Sequence, residues 1–365
     1  MRSVELFTGC GGLGLGLARA GFHHDLMVEW NEDAVATVVH NREKGVEHVE
    51  NWPIVSRDVR EIDWTQYAGV DLVAGGPPCQ PFSIGGKHRG DDDHRDMWPQ
   101  AIRSVREIRP RGFLFENVRG LTRQKFAGYL QSIVDGLTKP AVDLRYEVRV
   151  ISVNAADYGA AQKRHRVIIA GVRSDVLTKP VPMLEPTHSR ERMLWEQFVT
   201  GSYWNEYSLP PQKEPTDYLD MGTVKKLRAL GVEPTGKRWV TVRDKLCGLG
   251  EPTGVDNHVF QPGAKVYKGH TGSPLDQPAK ALKAGDHGVP GGENMMVLPD
   301  GGVRYFTVRE AARLQGLPDN YAFPRSWTES MRQLGNAVPA ELAEAVGRWM
   351  ANILTAEGDR LPIAA

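Results

Sequence analysis

Short apolar runs alternate with amphipathic stretches through the first half of the chain. Val4-Glu-Leu-Phe7, Leu26-Met-Val-Glu29, Val70-Asp-Leu-Val-Ala74, Gly112-Phe-Leu-Phe-Glu116, Tyr146-Glu-Val-Arg-Val-Ile-Ser-Val153 and Val167-Ile-Ile-Ala170 read as strands. Between them, Leu15 to Ala20 reads as a helix that stops at Gly21, and residues 31–39 as a helix with an acidic first turn, as the helix dipole prefers. Met97 to Arg109 is a third. Trp98, Ile102, Val105 and Ile108 form its apolar stripe, and Arg103, Arg106 and Arg109 lie away from it as a solvated face. Strands alternating with helices predict an α/β fold, a sheet with helices on both faces.

The pattern fades after Val181. Pro182, Pro186, Pro210, Pro211 and Pro215 punctuate the chain, and a domain boundary falls near Pro186. From there to about Val303, short strands and long loops fit best. Regular signals return at Thr307-Val-Arg-Glu310, a capping box that opens a helix running to Gln315. Gly335-Asn-Ala-Val-Pro339 is expected to open the last helix, with Pro339 in its first turn. Its stripe of Val338, Leu342, Val346, Met350 and Leu354 needs the main sheet to pack on. The expected division is therefore a first domain of residues 1–185, completed by 326–365, and a smaller, irregular, β-rich domain of residues 186–325.

Composition adds limits rather than a function. The 365 residues carry 45 basic and 45 acidic side chains, so no global field draws the protein to nucleic acid. Any nucleic-acid surface must concentrate its cations locally, and Gly236-Lys-Arg238 and Lys265 to His270, with Trp239 and Tyr267 interspersed, fit such a surface. Cys10, Cys79 and Cys247 are too few and too scattered for a disulfide framework or a zinc site, which points to a reducing cytoplasm. No signal peptide or membrane-spanning run is evident.

Candidate chemistry sits at the ends of the strands. Gly9, Gly11 and Gly14 satisfy G-x-G-x-x-G between a strand and a helix, and Glu29 ends the next strand about twenty residues on. That order suits a nucleotide cofactor, with Glu29 on a ribose and Trp30 stacked on an adenine. A solvated strand end and a core aromatic are the plainer alternatives. Asp58 fits either an adenine amino group or an ordinary surface. Ala74-Gly-Gly-Pro-Pro-Cys-Gln-Pro-Phe-Ser83 holds Cys79 on a stiff turn just past a strand, where ligands bind in open α/β sheets. A thiol there is either structural or a nucleophile. The Gly-rich, charged stretch from Ile84 to Arg95 behind it reads as a closing lid or an inert surface loop. Glu116 ends the Gly112 strand and can serve as an acid if buried beside Cys79, or be a surface carboxylate. In Gln162-Lys-Arg-His-Arg166, a period of two puts Gln162, Arg164 and Arg166 on one face, suited to phosphate or a base carbonyl.

Six segments stand in an order that resembles the cytosine-5 DNA methyltransferases. They are Phe7-Thr-Gly-Cys-Gly-Gly12, Pro77-Pro-Cys-Gln-Pro-Phe-Ser83, Glu116-Asn-Val118, Gln162 to Arg166, Arg304 to Asp319, and Gly335 to Pro339. The resemblance leaves out mainly the stretch from Pro186 to Val303, the variable target-recognition segment of that family. It implies a Rossmann-like, S-adenosylmethionine-dependent fold, with Cys79 as nucleophile and Glu116, Arg164 and Arg166 as its catalytic partners. It implies a cofactor site of Phe7, Gly9, Gly11, Gly12, Glu29, Trp30, Asp58, Val59, Asn336 and Val338, with no metal. Gln80, Ser83, Gln162 and Arg166 are implied contacts to double-stranded DNA. A cognate restriction endonuclease is the implied companion, and a monomer the implied state. A nicotinamide-dependent oxidoreductase would share the glycines and Glu29 but leave Cys79, Glu116 and the Gln-x-Arg-x-Arg strand unexplained. A non-catalytic DNA-binding protein would not need Cys79, and RNA methylation is the remaining rival.

Overall fold

A computed structural model describes residues 1–78, 96–267, 271–284 and 292–358. Seven strands form one sheet: β1 (Arg2–Leu6), β2 (His23–Glu29), β3 (Ile54–Ser56), β4 (Leu72–Gly75), β5 (Gly112–Val118), β6 (Tyr146–Asn154) and β8 (His165–Arg173). Their spatial order is β3-β2-β1-β4-β5-β8-β6. The first five run parallel, and β8 is antiparallel to both β5 and β6. The two-residue strand β7 (Gln162–Lys163) leads into β8.

Alternation along these strands supplies two separate cores, as a sheet covered on both faces requires. Val4, Leu6, Val28, Val73, Phe113, Phe115, Val167 and Ile169 point to one face and pack with α3 (Trp98–Ile108) and Ile133 and Leu137 of α4 (Ala127–Thr138). Leu72, Ala74, Leu114, Ile168, Ala170 and Val172 point to the other, where they meet α1 (Gly12–Arg19) and α11 (Ala340–Gly358). All five residues of the expected terminal stripe are buried there, so the end of the chain returns to the main sheet. α1 and α11 approach closely enough that a Cβ on Gly16 would lie 2.3 Å from that of Ala343.

Two expectations from the sequence change. Gly335 and Asn336 close a separate helix, α10 (Trp327–Asn336), rather than opening the last one, and Pro339 precedes α11. Arg103 is also more than a solvated residue of α3. Its Nη2 donates to the carbonyls of Val59 (2.8 Å), Arg60 (3.3 Å) and Ile62 (3.3 Å), because the segment after β3 turns back across that helix.

Beyond residue 185, short strands do occur: β9 (His188–Ser189), β10 (Lys237–Arg238), β11 (Ala279–Lys280), β12 (Met295–Val297) and β13 (Val303–Tyr305). They share the region with helices that the sequence reading missed: α5 (Arg190–Phe198), α6 (Ser202–Glu206), α7 (Tyr218–Leu230) and α8 (Val242–Leu246). Several are too short to display a helical period between the prolines. Met193, Leu194, Phe198, Tyr203, Trp204, Val224, Leu227 and Trp239 form a small core of their own. The capping box expected at Thr307 is present, at the start of α9 (Val308–Leu314). α9 shares one apolar cluster with Cys10, Leu15, Met27 and Trp52 of the main domain, so the division expected at residue 325 crosses a continuous core.

Candidate active site

The parallel strands β1 to β5 end along one edge, and that edge gathers most of the candidate residues. After β1 the chain turns through Phe7, Gly9 and Gly11, all at positive φ (59°, 58° and 84°). Such turns favour glycine, and the bulky Phe7 is held there against its preference. Gly12 opens α1 against the segment before α11, where a Cβ would lie 2.3 Å from the carbonyl oxygen of Val338. Hence Gly12 and Val338, more than 300 residues apart in sequence, meet as one wall. Asn336 is exposed at the end of α10.

Glu29 ends β2 with its side chain turned under this wall. One carboxylate oxygen accepts the Gly9 N–H (2.8 Å), and the other accepts those of Trp30 (3.0 Å) and Asn31 (2.8 Å). A carboxylate offers about four acceptor sites, so roughly one remains for a ligand hydroxyl. Trp30 follows, 66% exposed, a platform beside that acid. Asp58 caps the 3-10 turn that begins at Val59 and binds Arg60 through both oxygens, and the Val59 side chain is buried. The hydrogen bonds with Arg60 hold the Asp58 carboxyl below its ordinary pKa, burial opposing them.

The second group lies on β5 and β8. Arg166 stands opposite Val118 in the antiparallel ladder, which brings it diagonally to Glu116 on the same face. Its Nε is 2.5 Å from Glu116 Oε1. The N–H is not aimed at the oxygen, so the contact is ionic. Gly76, just past β4, is so near that a Cβ there would lie 3.6 Å from Glu116 Oε2. Asn117 is buried, and its Nδ2 donates to the carbonyl of Pro77 at 3.1 Å. This bond ties the start of the Pro77-Pro78 turn to the strand that carries Glu116. Nothing in the local sequence marks this role of Asn117, because Pro77 lies 40 residues away. Cys79, Gln80, Ser83 and the lid expected after Ser83 lie outside the described residues.

Gln162 and Arg164 alternate inward as the period of two requires, but they address different elements. Gln162 donates to the Leu314 carbonyl and the Gln315 side chain, each at 3.0 Å. Arg164 donates to the carbonyls of Leu282 (3.0 Å) and Gly335 (2.7 Å). Only Arg166 of the three reaches Glu116. Burial, then the charge of Arg166, lower the pKa of Arg164, with Glu116 opposing. The guanidinium stays charged because it starts so high.

This edge therefore offers a nucleotide-shaped wall and, one strand further on, a carboxylate paired with a guanidinium. A model of the C-5 cytosine-specific DNA methylases matches residues 1–352. The chain belongs to the C-5 cytosine-specific DNA methylase family. This methylase is 31% identical to the type II methyltransferase M.NgoMIV of Neisseria gonorrhoeae, over 97% of its own length and 98% of the relative's. It is 30% identical to M.NaeI of Lentzea aerocolonigenes, over 98% and 76%. The Dnmt2 methyltransferase of S. pombe superposes with a TM-score of 0.59 at 18% identity, over 99% of this chain and 100% of that one. A DNA modification methyltransferase encoded within a prophage of E. coli gives 0.56 at 24% identity, over 97% and 99%. Both share the fold. The methylase is thus a DNA cytosine-5 methyltransferase of the restriction-modification type, and use of S-adenosylmethionine follows from the family. No described helix of it is long and apolar enough to cross a membrane.

Proposed function

We propose that the enzyme methylates C5 of a flipped-out cytosine in a specific site of double-stranded DNA, through a covalent bond between Cys79 and C6 of the base. The observation that carries this reading is the Glu116–Arg166 pair set beside Gly76, at the root of the Cys79 turn. Cytosine C5 is a poor nucleophile. Attack of the Cys79 thiolate forms the S–C6 bond and moves the C5=C6 electron pair onto C5. Glu116 hydrogen-bonds or protonates N3, so that the ring accepts the attack. Arg166 grips Oε1 and leaves Oε2, the oxygen nearer Gly76, for the base. Arg166 anchors the base at O2 and the adjoining phosphate, while the buried Arg164, held by the Leu282 and Gly335 carbonyls, and Gln162 support the strand. When bound, S-adenosylmethionine supplies an electrophilic methyl group, which C5 takes. Solvent water then takes the C5 proton, the C5–H electron pair reforms the C5=C6 bond, and the S–C6 pair leaves with Cys79 as thiolate.

The cofactor fits the wall described above. Glu29 keeps roughly one acceptor site for the ribose, Trp30 presents a ring to the adenine, and Gly9, Gly11 and Gly12 permit close approach of backbone to ligand. Phe7, Asp58, Val59, Asn336 and Val338 complete the site. Reaching C6 within a duplex requires extrusion of the base, at a cost of a few kcal/mol, and Gln80 and Ser83 contact the DNA as it leaves the stack. The segment from residue 186 selects the target. A cognate endonuclease, a monomeric state and a cytoplasmic setting complete the reading.

The test is expression in a methylation-free host, followed by sequencing of the plasmid for 5-methylcytosine at single-base resolution. Methylation at one short recurring site is the expected result, abolished in Cys79→Ala with cofactor binding intact. Turnover in that variant, or unmethylated DNA from folded wild-type protein, overturns the reading.

A further inference from the structure

Lys163 and His165 occupy the spacer positions between Gln162, Arg164 and Arg166, and both are exposed where Gln162 and Arg164 are buried. Lys163 lies on β7, which pairs in parallel with β11, and its direct partner is Lys280. The neighbouring ladder carries a further exposed lysine, opposite an imidazole that burial, then the lysine itself, keeps neutral. In β9–β10, His188 stands directly opposite Lys237. Both ladders adjoin the 3-10 turn Ala155–Tyr158 that joins β6 to β7. Like charges directly opposite one another in a ladder are destabilising. The Lys163–Lys280 pair is therefore unexpected unless something else gains from it.

The distribution of acids sharpens the point. None of Lys163, Lys237 and Lys280 forms an ion pair among the described residues. Lys280 donates to the Thr271 hydroxyl at 2.9 Å. The carboxylates nearest Lys163 are already committed, Asp217 to capping α7 and Asp220 to Arg190. Asp157, near His165, accepts from Trp239. Meanwhile Arg238, next to Lys237, holds three carboxylates, those of Glu196, Glu206 and Asp244. Among the described residues, acids thus gather on Arg238, while Lys163, Lys237 and Lys280 carry no ion pair. Burial of its surroundings, with Arg190 and Lys280 nearby, lowers the pKa of Lys163, Asp220 and Asp217 opposing. Lys163 stands three residues before Arg166, on the short strand that leads into β8.

We propose that Lys163, Lys280 and Lys237 form a rail that carries one phosphate backbone of duplex DNA past the catalytic site. The inference rests on the reading of duplex DNA as substrate. It assigns a sequence-independent task to spacer residues of a catalytic motif, while the choice of target is left to other residues.

The test is the binding of a fluorescent duplex of arbitrary sequence from about 50 to about 200 mM salt. Each Lys→Gln substitution at 163, 237 or 280 lowers the slope of log affinity against log salt by ~0.9. Lys163→Arg, which keeps the charge, retains the wild-type slope, as does Lys44→Gln at the exposed end of α2 (Glu32–Glu43). A folded triple Lys→Gln variant with the wild-type slope overturns the rail and leaves the methyltransferase reading standing. Wild-type protein with no salt-dependent affinity for duplex overturns both.

Discussion

Gly16→Ala, set beside Gly222→Ala, measures how tightly the two helices over the cofactor turn are locked together. Both glycines are helical, and alanine in a helix interior is favoured over glycine by about 1 kcal/mol. Gly222 is exposed on α7 with nothing within 4 Å of an added Cβ, so only that gain applies. At Gly16 the added carbon would lie 2.3 Å from Ala343 Cβ, 2.5 Å from Glu344 N and 2.6 Å from Ala340 O. Carbon atoms settle at about 3.5–4.0 Å, so α11 must retreat by roughly 1 Å. Two of the three obstacles are backbone atoms, which no rotamer change removes. Overpacking of this kind costs ~1–3 kcal/mol, and a gap opened elsewhere along α11 forfeits further contacts. The expected net change is a loss of about 1–2 kcal/mol for Gly16→Ala and a gain of about 1 kcal/mol for Gly222→Ala. Urea unfolding of the two variants against wild type reads both. Affinity for S-adenosylhomocysteine should fall in the first alone, because α11 follows directly on the Val338 carbonyl that walls Gly12. Equal or greater stability in Gly16→Ala would refute the close approach on which the estimate rests.

Three further outcomes are expected. Asn117→Ala removes the bond to Pro77 and leaves a buried carbonyl unpaired, at about 1–3 kcal/mol. Single-turnover methylation should slow about tenfold or more with cofactor affinity unchanged, and a rate within a factor of about two of wild type would deny Asn117 its positioning role. Arg304→Met strands Glu310, whose side chain is 1% exposed and which Arg304 holds at 2.6 and 2.7 Å. A loss of ~3–5 kcal/mol in thermal or urea unfolding is expected. Glu5 is fully buried on β1, and burial, with the charge of Glu29 adding, raises its pKa well above the ordinary value, against a Gly14 N–H. Because the native state holds this proton more tightly, its contribution to stability is full below the unfolded pKa and is lost as pH rises through the folded one. Glu5→Gln should therefore gain on wild type progressively from pH 4 to pH 8, and parallel stability profiles would contradict the assignment.

The sheet and its edge were legible because buried parallel strands are continuous apolar runs, although β5 runs two residues past Glu116, where the expected strand stopped. Glu29 and Glu116 stood out as carboxylates closing such runs, and both lie at the same edge. Local chemistry was legible too, as the capping box at Thr307 illustrates. What did not show was anything that depends on a distant partner. Arg103 looked solvated because the carbonyls it binds follow β3, some 40 residues earlier in the chain. Asn117 had no visible role without Pro77 beside it. The helices between Arg190 and Leu246 were missed because their apolar faces close on one another, in pieces of one to three turns. Pro339 marks a first turn in the sequence and so draws Asn336 toward an opening helix, whereas Gly335 and Asn336 end the preceding one.

The proposed cofactor wall is assembled from segments more than 300 residues apart. Tyr321 donates to the carbonyl of Cys10, Asn41 binds the backbone of Ala322 through both ends of its amide, and Val338 closes over Gly12. During synthesis, at ~5–20 residues per second, the glycine turn therefore emerges many seconds before the residues that seal it. On the proposed reading, a ribosome-bound fragment that stops before Tyr321 has no complete place for the methyl donor and is expected not to mark DNA. The same division permits a switch built by splitting. Two inactive pieces cut within the exposed loop around Val255 would regain methylation only when brought together, since each holds one side of the wall.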